Sequence, residues 1–341
     1  MPRLTATPKG TVEQTAQQHW QSQWHPKKRS CDRATPPRQH CYAGWQVSPD
    51  RADRTMDRKE KLFYAFRNVP RPRTAEGGYY FTAAQIMELV ARRDLGLDAS
   101  LAYGYLSEVM QTAGSLEDFA CLLPAMLDLW STNYTSMPDW NDALVAALSR
   151  SRILDGYVTP GQQNAVLEFI RDVILEHIDG MPRELSRPPD DWRVAFELVH
   201  GYGVYASLDP LWRAWWQGQT AGRVWAKVAY VSCLALDDAD NPVLRLADVS
   251  ESAPVLLNLA KTVPPLRWSQ ANVAFLEQEL LVENVHRHLQ EVGSGGDEAR
   301  KVAEMIRTAL INERWRFDIR AEDLAYYLAS VRRSMAPAWR V

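Results

Sequence analysis

The sequence is poor in the residue types and motifs that usually indicate an enzyme or a membrane protein. Four cysteines and seven histidines among 341 residues do not suggest a disulfide framework and leave few ligands for metal ions. No Gly-x-Ser-x-Gly elbow and no Gly-Lys-Ser/Thr loop occurs. The most apolar window, residues 224–236, is too short to span a bilayer, and no leader-like segment is present. We therefore expect a cytoplasmic protein without a membrane partner, in which binding is favoured over catalysis and enzymatic activity is uncertain.

Strand signals are nearly absent, whereas helical spacing recurs along most of the chain. No run alternates between apolar and polar residues with a period of two, as a half-buried strand would. Residues 159–162 read Thr-Pro-Gly-Gln, which combines an N-cap, a proline at the first helical position and a capping-box glutamine. Ser115 caps another segment, in which Pro124 should kink or restart the helix. The sequence predicts an all-α fold of about ten to twelve short helices, packed irregularly or as a stack of helix pairs.

Composition divides the chain into three parts. Residues 1–55 are rich in Pro, Gln and Arg and carry nine basic against four acidic residues, which predicts a disordered basic tail. Met56 begins the helical pattern and resembles a natural start. Residues 56–341 are acidic, which argues against a broad nucleic-acid face. The Pro- and Arg-rich stretch 180–189 predicts a linker between two helical subdomains, 56–180 and 190–341.

Residues 118–129 read DFACLLPAMLDL. This segment resembles one in a family of uncharacterised bacterial helical proteins, which carry an Asp-Phe, Leu-Pro and Leu-Glu-Leu version of it. Those proteins also tend to begin with a short Phe-containing helix that runs into Val-Pro, as residues 62–70 do here. The resemblance covers about residues 56–180. It implies a helical fold and no known activity.

Two Glu-x-x-His motifs are the strongest candidates for a metal site. Each places a carboxylate and an imidazole on one face of a helix, and four-helix di-iron proteins combine two such motifs with a glutamate from each of two further helices. Glutamates lie 29 and 32 residues before the two motifs, a spacing that suits adjacent helices. An iron-containing enzyme would use Glu168, Glu197, His200, Glu251, Glu283 and His286. In the alternative interpretation the glutamates are surface residues, the histidines lie at helix ends and no cofactor is bound.

Tryptophan is abundant, with thirteen in the chain and four between residues 212 and 225. Trp212, Trp215 and Trp216 fall on one helical stripe, which is typical of core packing. The other hypothesis is an anchor for an unknown protein partner, because Trp and Arg dominate binding hot spots. That hypothesis names Trp212, Arg213 and Trp216 as the binding residues. The sequence thus favours a protein that binds or scaffolds through a helical surface.

Overall fold

The computed structural model describes residues 56–78, 81–112, 115–137, 139–181, 190–236, 269–291 and 297–312. Within these ranges every regular element is an α-helix and no strand occurs, which confirms the all-α prediction. The twelve helices of the described residues are α1 Arg58–Ala65, α2 Ala83–Arg92, α3 Ala99–Thr112, α4 Leu116–Asn133, α5 Asp139–Ser151, α6 Pro160–Gly180, α7 Asp190–Tyr205, α8 Asp209–Trp216, α9 Ala221–Leu236, α10 Gln270–Glu279, α11 Val282–Glu291 and α12 Asp297–Asn312.

Helix α6 begins where the sequence predicts. The Thr159 hydroxyl accepts from the Gln162 amide at 3.3 Å, and the Gln162 side chain accepts from the Thr159 amide at 2.9 Å. This reciprocal capping box satisfies two backbone donors that the helix itself leaves unpaired. The inward stripe of α6 is buried in the core, so local signals and tertiary packing agree on this element.

Helix α4 contains Pro124 and does not restart there. It starts after the Ser115 cap, as expected, but continues to Asn133 without restarting. Proline removes one backbone hydrogen bond from a helix interior. Here every residue from Asp118 to Leu127 is buried, and packing on all sides of the helix compensates for the missing bond.

The helices pack around α6 and α9. Helix α1 lies on α6, α3 on α5, and α12 on α9, while α7 contacts α5, α6 and α9. The hydrophobic core extends from Leu62 in α1 to Ala303 in α12. Helices on both sides of the predicted linker therefore share one core, and residues 182–189 of that linker lie outside the described residues.

The chain divides into two units, Met1–Arg54 and Thr55–Val341. Every described helix belongs to the second unit. The predicted disordered tail, residues 1–55, lies outside the described residues, and the division into subdomains 56–180 and 190–341 stays a prediction. No helix in the described part of the chain is long and apolar enough to cross a membrane.

Candidate functional site

The tryptophans of α8 are part of the core. Trp212, Trp215 and Trp216 expose 3% of their surface or less. The indoles of Trp212 and Trp216 stack with their centroids 4.9 Å apart, and both meet the ring of Tyr230 in α9 edge-on. Trp212 also donates its indole N–H to the Glu279 carboxylate at 3.1 Å. These contacts correspond to the core-packing interpretation.

The hypothesis of a tryptophan anchor for a partner needs correction for this reason. Trp212 and Trp216 lie on the inner face of α8 and offer almost no surface to another protein. Arg213 does lie in solvent, where its guanidinium pairs with Asp209 of the same helix. An exposed pair of this kind contributes little energy. The three residues therefore do not form one exposed patch.

The two Glu-x-x-His motifs do not build a metal centre from the residues that are described. His200 is buried and its Nε2 lies 3.0 Å from the Tyr230 hydroxyl, whereas Glu197, one turn earlier, is exposed. Glu168 and Glu283 are exposed and His286 is half-buried. Glu251 lies outside the described residues. No group of three or more His, Cys, Asp or Glu side chains in the described ranges could hold a metal ion, so the di-iron hypothesis loses the convergence on which it depends.

A polar border closes one end of the tryptophan cluster. The His288 ring lies edge-on to Trp216 at 5.1 Å, and its nitrogens lie 3.3 Å from the Glu291 carboxylate and 3.7 Å from that of Glu279. Burial lowers the pKa of His288, and the Glu291 carboxylate opposes this shift. The imidazole therefore joins α8 to α10 and α11.

Two cations bind carbonyl groups at the C-terminal end of α8. Arg223 donates to the Ala214 carbonyl at 3.1 Å, and Lys227 donates to the Gly218 carbonyl at 2.9 Å. A helix C-terminus leaves carbonyls unpaired and carries partial negative charge, which favours cations there. Burial lowers the pKa of Lys227 to about 8, against the opposing effect of Glu291. Lys227 thus holds the backbone two residues beyond the end of α8.

A surface cleft lies between α1, α4 and α6 in the described part of the chain. Its volume is about 510 Å³. Helix α1 contributes its first residue, while α4 and α6 contribute residues at and just beyond their C-terminal ends. The cleft is lined by Arg58, Ser131, Tyr134, Thr135, Val173, Glu176, His177, Gly180 and Met181.

Both signs of charge lie on one wall of this cleft. The Arg58 guanidinium pairs with the Glu176 carboxylate and lies over the ring of Phe169, 5.8 Å from its centroid. The Arg58 side chain is one-third exposed and that of Glu176 two-thirds exposed, at 34% and 66%. Solvent, and hence a ligand, reaches both groups.

An aromatic pair also lines the cleft. The rings of Tyr134 and His177 meet edge-on with centroids 5.2 Å apart. Burial, and secondarily the Glu176 carboxylate, raises the pKa of Tyr134 to about 12. The phenol is therefore protonated at neutral pH and can donate or accept a hydrogen bond.

Gly180 leaves open space at the end of α6. A Cβ atom added at this position would meet no atom within 4 Å. The same is true of Gly161 at the other end of the helix, but Gly161 does not line the cleft. A larger side chain at position 180 would therefore enter the cleft, whereas the same side chain at position 161 would not.

Sequence reasoning missed the cleft because its groups come from distant parts of the chain. Arg58 and Glu176 are separated by 118 positions, and no local spacing links them. No functional motif in the sequence includes a residue of the cleft lining.

Comparison with protein-family models, with curated proteins and with solved structures finds no match to the chain. The resemblance of residues 118–129 to a segment of an uncharacterised helical family stays a prediction. Any functional inference must therefore come from the geometry of the described residues.

Proposed function

We propose that the protein binds a partner protein through its helical surface, and that the cleft between α1, α4 and α6 receives a peptide segment of that partner. The observation that carries this proposal is the accessible wall of opposite charges, Arg58 beside Glu176, in a concavity built by three helices. Such a wall can pair with a charged side chain of a peptide, and the hydroxyls of the cleft supply further hydrogen-bonding groups.

The size of the cleft supports binding. Ligand sites in proteins usually measure about 300–1,000 Å³. This cleft has that volume, and its lining is more polar than that of a usual ligand site, with the hydroxyls of Ser131 and Thr135 beside Val173 and Met181. A few residues of an extended peptide would fill it.

Tyr134 can contribute a hydrogen-bonding group to the cleft. Burial raises the pKa of the phenol, which is protonated at neutral pH. Tyr134 is therefore suited to hydrogen bonding with a ligand.

The cytoplasm is the compartment that we propose for this interaction. The low cysteine content agrees with a reducing environment. Cys121 is free and buried, and its Sγ accepts from the Arg93 guanidinium at 3.6 Å.

A random-peptide selection against the immobilised full-length chain tests the proposed function. We expect enriched peptides to bind the wild type and the Gly161→Met variant alike. The Gly180→Met side chain should fill part of the cleft and weaken their binding by about tenfold or more, equivalent to about 1.4 kcal/mol. Equal binding of the enriched peptides to both variants, or a failure to enrich any peptide, contradicts the proposal.

Both substitutions exchange a helical glycine for methionine in open space. Each should leave stability unchanged or raise it slightly, since methionine favours helix over glycine by up to about 1 kcal/mol. Circular dichroism and melting curves of the two variants verify that any loss of binding arises at the cleft.

A further inference from the structure

The cleft already holds one guanidinium group, that of Arg58. Its charge pairs with the Glu176 carboxylate, and its central carbon lies over the ring of the buried Phe169, 5.8 Å from the ring centroid. Phe169 itself does not line the cleft. A carboxylate beside an aromatic face is the combination that recognises arginine, which pairs with the first and stacks on the second. We call Glu176 and Phe169, with the part of the cleft next to them, the guanidinium subsite.

We infer that the guanidinium subsite binds an arginine side chain of the partner, and that Arg58 occupies it until that arginine displaces it. This inference rests on the proposed function, because it names the residue of the docked peptide that the cleft selects. Arginine fits better than lysine, whose compact ammonium group is more strongly hydrated and does not stack on a ring.

Arg58 can leave the subsite without unfolding α1. The helix is held in place by Leu62, which is fully buried, and by the capping box between Asp57 and Glu60. Lys59 adds an ion pair to Asp128 of α4 at 2.7 Å. The Arg58 side chain is one-third exposed, and a partly exposed ion pair is held only weakly. Rotation of this one side chain therefore opens the subsite.

Competition from Arg58 sets the apparent affinity for an incoming arginine. When only a fraction of the molecules is in the binding-competent state, the apparent dissociation constant equals the intrinsic constant divided by that fraction. If Arg58 fills the subsite about nine-tenths of the time, its removal tightens the binding of an arginine ligand about tenfold. Replacing Arg58 with alanine should therefore improve binding of arginine ligands, which a purely structural ion pair would not do.

Chemical rescue of Arg58→Ala with N-ethylguanidinium tests the subsite directly. This small cation reproduces the head group of arginine, and at about 50 mM we expect it to raise the Tm of Arg58→Ala by about 1–3 °C relative to its effect on wild type. Ethylammonium at the same concentration should not do so. The Glu176→Gln change, added to Arg58→Ala, should abolish the rescue.

Arg67→Ala is the matched control variant. The Arg67 guanidinium lies 3.6 Å from the centroid of the Tyr64 ring, so its removal also vacates an arginine position on an aromatic face, at a site outside the cleft lining. Equal Tm shifts for Arg58→Ala and Arg67→Ala, or equal effects of the two cations, overturn the inference.

The peptide selection separates this inference from the proposed function. Enriched peptides that need the cleft but contain no arginine overturn the inference and leave the proposed function standing. Rescue by N-ethylguanidinium without enrichment of any cleft-dependent peptide supports the subsite and contradicts the proposed function. Arginine in the enriched peptides, with rescue, supports both.

Discussion

Lys227 lies in the middle of an apolar helix, and its amine is almost fully removed from water. Only 5% of the residue is exposed, and Nζ donates to the Gly218 carbonyl. Burial penalises the charged form, which is why the pKa decreases from 10.5 to about 8. At neutral pH the amine is still mostly protonated, so the folded protein carries the cost of a buried charge.

We predict that Lys227→Met raises the free energy of unfolding at pH 7 by about 1–2 kcal/mol. The pKa difference corresponds to about 3 kcal/mol, from which the lost bond to the Gly218 carbonyl subtracts about 1 kcal/mol. Because the folded pKa is the lower one, the unfolded chain holds more protons between pH 8 and 10.5. As the pH rises from 8 to 10.5, the free energy of unfolding of the wild type therefore increases relative to that of Lys227→Met. The difference in stability between the two proteins becomes smaller.

Urea denaturation at pH 7 and pH 10 measures this effect. Lys61→Met is the control, since Lys61 is exposed and the same substitution there should change stability by less than about 0.5 kcal/mol. A gap between Lys227→Met and wild type that stays constant over this pH range would show that the buried charge is not its cause.

At the scale of single elements, helix starts could be predicted from the sequence, whereas the continuation of α4 past Pro124 could not. The start of α6 depends on Thr159 and Gln162, which are neighbours in sequence and bond to each other. The behaviour of α4 at Pro124 depends on the burial of the segment around it, which only the assembled fold defines. Local sequence rules therefore predict the helix caps, whereas tertiary packing determines that α4 continues past Pro124.

We predict that Thr159→Ala lowers the free energy of unfolding by about 1 kcal/mol. The substitution removes the acceptor for the Gln162 amide and leaves that donor to solvent. Thr132→Ala is the control, because Thr132 is exposed and its hydroxyl bonds to the Leu129 carbonyl inside α4, where no capping depends on it. Thermal or urea unfolding measures the stability of both variants. An equal decrease in the free energy of unfolding for the two would argue against a role for the cap.

Functional elements were harder to predict than structural ones. The tryptophan stripe of α8 was recognised, and its two interpretations could be separated only by the burial that the fold shows. The metal hypothesis required glutamate and histidine side chains from several helices to lie close together. Their separation along the sequence does not establish this. The cleft joins Arg58 and Glu176 across 118 positions, so it became visible only when α1 was placed on α6.

At the scale of the whole molecule, one core runs across the predicted boundary at residues 180–189. Helix α7 packs against α5 and α6, and α9 packs against α6. Elements that bury their apolar faces against each other lose those contacts together when either one unfolds. The helices before and after the boundary should therefore depend on each other for stability.

Calorimetry of the full-length chain tests this dependence. We predict a single unfolding transition with equal calorimetric and van't Hoff enthalpies, which is the mark of a cooperative two-state unit. Two separate transitions would instead support independent subdomains at residues 56–180 and 190–341.

The whole-molecule account centres on one claim, that the cleft between α1, α4 and α6 selects arginine. Calorimetric titration of Nα-acetyl-L-arginine amide into the full-length protein tests this claim most directly, because the guanidinium is the only charge on this ligand. We predict saturable binding to wild type and to Gly161→Met, tighter binding to Arg58→Ala and binding about tenfold weaker to Gly180→Met. The lysine analogue should bind more weakly than the arginine ligand throughout. Identical isotherms for the four proteins, or equal binding of the two ligands, would contradict the claim.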